Sequence, residues 1–244
     1  MNDLEIKSIK IWDIPTRLFH WALVVAVGFM WYSSGDFELM EYHLIVGKLI
    51  LCSLIFRIVW GFIGSTTARF TDFIRSPVTG FRYLFGKESS KTTGHNPAGG
   101  WMVLALLLIL LTQAMTGLFA SDDVDYPVYA GPFYFSVNAE LAGWLNRLHH
   151  SNINYLWILV GVHIYASLIY QLQGKNLTGA MLSGNKQAQE GVNPPKMRSP
   201  WLALVLFAFI CTVGFYLLSW TAPPGWYGLS LMPLLVWSYK TSCL

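Results

Sequence analysis

Five stretches of this 244-residue chain are apolar over about the 20 residues that an α-helix needs to cross the hydrocarbon of a bilayer. They cover roughly 17–34, 42–63, 98–119, 146–171 and 200–220. In lipid the backbone amides of each segment must satisfy one another, and a helix is the single-segment structure that does so. The chain is therefore expected to be an all-α integral membrane protein. Composition agrees, with 12% of residues charged, against about 25% in soluble domains. The first run is not read as a cleavable signal, because no small-x-small cleavage site follows it.

Charge in the connecting segments orients the spans. Lys7, Lys10 and Arg17 open the chain. Arg57, Arg69, Arg75, Arg82, Lys87 and Lys91 gather around the second connection, and Lys175, Lys186, Lys196 and Arg198 in the fourth. Thirteen of the 16 basic residues thus share one side. The other side holds Lys48, Arg147 and Lys240, with Asp36, Glu38, Glu41, Asp122, Asp123, Asp125 and Glu140. The positive-inside rule then predicts a cytoplasmic N-terminus and a C-terminus on the outer side of the membrane. "RFTDFIRSPVTGFRYLFG" (69–86) mixes Arg with aromatic residues at helical spacing, as an amphipathic segment on the inner leaflet would. The apolar segment 223–239, broken by Pro233, is expected to be an interfacial or partner-bound tail. The acidic stretch 121–140 reads as a surface loop or a docking site.

No Lys/Arg-rich run suits nucleic acid. Cys52, Cys211 and Cys243 are far apart and form no Cys-x-x-Cys-His, which excludes covalent c-type haem on this chain.

The histidines carry the chemical signal. A lone intramembrane histidine usually bonds a neighbouring helix for about 1 kcal/mol. Here His20, His43, His149, His150 and His163 all lie in or at the edges of spans, more than that explanation covers. On a helix, 14 residues return to within about 40° of the same face and rise about 21 Å, whereas 13 residues miss by about 140°. His149 and His163 therefore share a face, and His150 points elsewhere. Given the alternating direction of the spans, His43 and His149 lie at the outer level, and His20 and His163 at the inner level. Each level pairs the fourth span with another, an arrangement that can clamp two flat metallocycles inside a four-helix bundle. Structural zinc takes four protein ligands, whereas a porphyrin leaves two axial positions for two imidazoles. Gly28, Gly47, Gly117 and Gly161 admit a ring or a neighbouring helix. Arg17, Lys48 and Arg147 can pair with haem propionates, and snorkelling explains Arg17 and Arg147 equally well. His95, followed by Asn96 and Pro97 as N-cap and first-turn residue, reads as a helix-start or interface residue. His150 reads as a hydrogen-bonder at the outer surface, or as a spare ligand should the alignment shift by one residue.

"IWDIPTRLFHW" (11–21), "HLIVGK" (43–48), "GHNPAGGWMVLALLL" (94–108), "TGLF" (116–119) and "RLHH" followed by His163 together resemble the bacterial di-haem cytochrome b family. That family includes the membrane cytochrome b subunits of nickel–iron hydrogenases and formate dehydrogenases. The resemblance spans about residues 8–172 and implies a four-helix core over 1–172 holding two haems b, then a cytoplasmic loop (173–199), and a fifth transmembrane helix with a periplasmic tail (200–244). It implies His20 and His163 as ligands of the inner haem and His43 and His149 of the outer one. The implied task is electron transfer between the quinone pool and a redox partner such as a c-type cytochrome, a hydrogenase or a dehydrogenase subunit. Quinone is expected near Arg17, His95 and the 64–97 loop. Alternatives are a stand-alone quinone reductase or superoxide oxidase and, in another class, a histidine-relay transporter without haem.

Overall fold

A computed structural model describes residues 6–86, 94–122, 127–189 and 193–220. Five of its helices are long and apolar enough to span a membrane: α1 (Ile14–Ser33), α2 (Met40–Ile63), α5 (Pro97–Gly117), α6 (Ala139–Leu172) and α8 (Pro200–Trp220). Short helices α3 (Phe70–Phe73) and α4 (Pro77–Leu84) fill the connection after α2, and α7 (Leu177–Ser183) follows α6. The reading of 223–239 as a tail, and the acidic residues Asp123 and Asp125, lie outside the described residues.

The helix starts are written in local chemistry. Asp13 caps α1 by accepting the Thr16 N–H at 2.9 Å, with Pro15 in the first turn. Asn96 caps α5 at Gly99 N (2.7 Å), as its Asn-Pro sequence predicts. Asn138 caps α6 at Leu141 N (2.9 Å), so this helix begins well before the apolar run that marks it in the sequence. At 34 residues it is about 51 Å long, far more than the hydrocarbon requires.

The helical chain also carries a two-stranded antiparallel ribbon, in which β1 (Ile6–Lys10) pairs with β2 (Asn185–Gln189). Ile11 and Trp12 continue this tie by donating N–H groups to Gly184 O at 2.8 and 3.1 Å. Gly184 ends α7 in the left-handed conformation (φ 86°), which a glycine adopts without strain. Ile9, Ile11, Trp12 and Ala180 pack beneath as a small core. Residues 6–12 and 177–189 thereby close over the ends of α1 and α6.

Between the spans, Ile50, Leu54, Leu110 and Leu156 form the central core, with side chains of α1 packed on it. Backbone packing is uneven. The helix α2 lies against α1, α5 and α8, whereas α6 packs closely on α5 alone among the spans. Between α6 and the α1–α2 pair, contact is left to long side chains.

Candidate functional site

Those gaps contain the histidines. At the end of the bundle where α1 begins and α6 finishes, His20 of α1 and His163 of α6 face each other with ring centroids 6.3 Å apart and planes inclined by 57°. Trp21 meets His20 edge-on at 4.9 Å. The Nδ1 of His20 is buried with no hydrogen-bond partner among the described residues, although buried polar atoms are normally paired. His95 lies just behind, its ring held between Trp12 (4.7 Å) and Phe73 (4.5 Å). Burial there pushes its imidazole down to about 3, and the nearby charges of Arg57 and His163 act in the same direction, so it is neutral at ambient pH.

At the opposite end of the bundle, His43 of α2 stands near His149 and His150 of α6. His43 Nδ1 lies 3.0 Å from Ser33 Oγ. The rings of His149 and His150 are 5.8 Å apart and perpendicular, and both sit within electrostatic reach of His43. Gln113 and Thr116 of α5 hold His149: its Nδ1 lies 3.0 Å from Gln113 O and 3.3 Å from Thr116 Oγ1. A Nδ1–H donating to that carbonyl leaves Nε2 as the acceptor nitrogen, and the Gln113 side-chain amide stands 3.3 Å from it, a contact that a ligand on Nε2 would have to replace. Asn152 secures Gln113 in turn, donating from Nδ2 to Oε1 at 2.7 Å. Gly117 is small for a definite reason, since a Cβ there would stand 2.9 Å from His149 Cε1.

The other residues singled out in the sequence divide. Gly47 faces Met30 at an ordinary 3.6 Å, and Gly28 and Gly161 face open space. Lys48 is half-buried on α2, and Arg147 is exposed on α6. Arg17 donates from Nε to Met181 O at 3.2 Å and from Nη2 to Leu182 O, so its guanidinium engages the last carbonyls of α7.

Arg57 is a cation that the sequence pattern alone did not single out. It is 3% exposed near the C-terminal end of α2, its Cζ lies 5.1 Å above the Phe70 ring, and Nη1 has no hydrogen-bond partner among the described residues. Asp13 is close enough to offset its charge and also accepts Trp60 Nε1–H at 3.0 Å. An arginine six residues before the end of a run gives little hint of burial when its partners come from other segments.

Among the described residues, no three His, Cys, Asp or Glu side chains converge as a protein-only metal site requires. What the fold defines is a membrane bundle with imidazoles from facing helices at two levels, an arrangement suited to a flat cofactor with vacant axial positions. The chain belongs to the prokaryotic cytochrome b561 family, whose model matches residues 11–184. It is therefore a membrane b-type cytochrome of electron transfer, and the family implies haem b. It is 24% identical over 220 residues to a probable Ni/Fe-hydrogenase B-type cytochrome subunit of Rhizobium leguminosarum bv. viciae, covering 75% of this chain and 90% of the relative. A protein of the same description from Azotobacter vinelandii is also 24% identical, covering 72% and 88%. No solved structure matches.

Proposed function

We propose that this cytochrome holds two haems b, the inner between His20 and His163 and the outer between His43 and His149, and passes electrons between a partner enzyme and quinone. The observation that carries this reading is the His20–His163 pair. Two imidazoles on opposite sides of one metal, each nitrogen about 2 Å from it, have centroids roughly 6 Å apart, and the two rings stand at 6.3 Å. The unpartnered buried Nδ1 of His20 is consistent with a ring whose bonding is completed by a further group.

At the outer level the support comes from the shell around His149. The Gln113 carbonyl orients the ring, Thr116 and Asn152 hold that orientation, and Gly117 gives the ring room. His150 stands beside this pair as a neighbouring polar group. Bound haem would supply one-electron chemistry, and two axial imidazoles leave its iron no vacant position for oxygen.

The names of the relatives support a hydrogenase-type enzyme as the partner. The distribution of Lys and Arg supports a cytoplasmic inner level and a periplasmic outer level in the bacterial inner membrane. Electrons from a periplasmic partner would then enter at the outer level. Quinone at the inner level, near the ring of His95, would receive them.

Haem analysis of the purified chain tests the reading. Two haems per polypeptide, with a sharp α-band on reduction and low-spin resonances, are expected. One haem, or a high-spin iron at either level, would overturn it.

A further inference from the structure

Away from the histidines, a cavity of ≈ 300 Å³ opens at the inner boundary of the bundle. It is lined by Gly64, Thr66, Arg69, Lys196, Met197 and Arg198, where α2 has ended and α8 is about to begin. Its walls are fixed by the backbone. Thr66 N–H donates to Lys196 O at 3.0 Å, and Arg198 N–H donates to the Oγ of fully buried Ser65 at 2.9 Å. The residues of these two connections are thus locked to each other rather than meeting by chance.

Arg69 Nε donates to Asp72 at 2.6 Å, whereas among the described residues no carboxylate lies within ion-pair distance of Lys196 or Arg198. Two cations two residues apart on one wall, without an acid of their own and with Arg69 on the wall across from them, call for an anion. The surroundings say which kind. Phe62 and Ile63, just before Gly64 on α2, and Trp201, three residues after Arg198 on α8, are 63%, 43% and 74% exposed, so both helices carry exposed apolar side chains next to the charged rim. A soluble anion would gain nothing from those side chains, while acyl chains would lie along them. The cavity volume is at the low end of the range for organic ligands and suits a phosphate with its glycerol.

We propose that this cavity binds the phosphate headgroup of an acidic phospholipid, whose chains run along the exposed face of α2 and α8 and pin the fifth span to the core. Each basic side chain near a membrane surface adds attraction worth roughly a fivefold change in binding to an anionic lipid. Titrating the haem-loaded cytochrome in detergent with phosphatidylglycerol, followed by native mass spectrometry, tests this. The wild type is expected to hold one phosphatidylglycerol in preference to phosphatidylcholine. Lys196→Gln with Arg198→Gln should weaken it by roughly 25-fold, the product of two such effects, with the haem spectrum unchanged. Lys196→Gln alone, at an exposed side chain, should give roughly fivefold and provides the measurement should the double variant fold poorly. Lys7→Gln with Lys186→Gln, on the ribbon of the same face, should leave binding intact. Equal weakening by that control pair would show a diffuse surface charge and overturn the proposal. So would equal binding of phosphatidylcholine, or displacement of the lipid by an equal concentration of inorganic phosphate.

Discussion

The rings of His20 and His163 stand 6.3 Å apart although their helices, α1 and α6, do not pack backbone to backbone. Hydrocarbon side chains alone would favour closing such a gap, because a packed interior has few voids larger than a water molecule. On the reading proposed above, the gap crossed by the two imidazoles would take a flat cofactor. His20→Ala and His163→Ala should each reduce the haem-to-polypeptide ratio to about half of the wild-type value, and both should remove the same α-band component. Pyridine haemochrome assay with low-temperature spectra provides the readout. Different components lost in the two variants would mean that the pair does not share a cofactor.

The outer level poses a sharper choice, because His149 and His150 both lie near His43. His149 is the one held by Gln113 and Thr116. His149→Ala should lose the outer haem and keep the inner one, whereas His150→Ala should keep both. If the two phenotypes are exchanged, the axial assignment moves by one residue along α6.

Gly117→Ala introduces a methyl group 2.9 Å from His149 Cε1. Overpacking of this kind costs about 1–3 kcal/mol, and the ring cannot retreat without leaving the Gln113 carbonyl. A lower outer-haem occupancy or a shifted outer-haem potential is expected in potentiometric titration. Gly161→Ala, which meets nothing within 4 Å, should leave both haems as they are.

Asp13 does three things at once: it caps α1, accepts the Trp60 indole N–H, and offsets buried Arg57. Asp13→Ala removes all three and should lower stability by about 3 kcal/mol or more, since an uncompensated buried cation dominates the loss. Asp13→Asn keeps an oxygen for the Thr16 N–H and should lose less. Adding Arg57→Leu to Asp13→Asn should recover part of the deficit, because the stranded charge is gone. Heating in detergent while following haem release measures the series. A double variant no more stable than Asp13→Asn alone would mean that Arg57 does not depend on Asp13.

Much of this was legible from residue type and spacing. Five spans follow from runs of apolar residues, and the Asn96-Pro97 start of α5 follows from capping chemistry. What escaped the sequence depends on partners distant along the chain. Residues 6–10 become a strand only because 185–189 lie alongside. The first turns of α6 are too polar to read as membrane, yet Asn138 begins the helix there. Asp122 counted toward an acidic outer surface, but its Oδ1 accepts the N–H groups of Val128 and Tyr129 at 3.0 Å, so it shapes its own loop. The angular argument separated His150 from His149 on α6 alone. It could not show that His43 would approach both.

Helix α6 runs unbroken from Ala139 to Leu172 and carries one histidine of each proposed pair. The interval between the two levels is thus a property of helical pitch, not of any loop, and α6 works as a ruler with two marks. Adding a residue between 150 and 162 would turn one mark by about 100° against the other and misalign a whole level. Lengthening the connections outside that rod would leave the interval untouched.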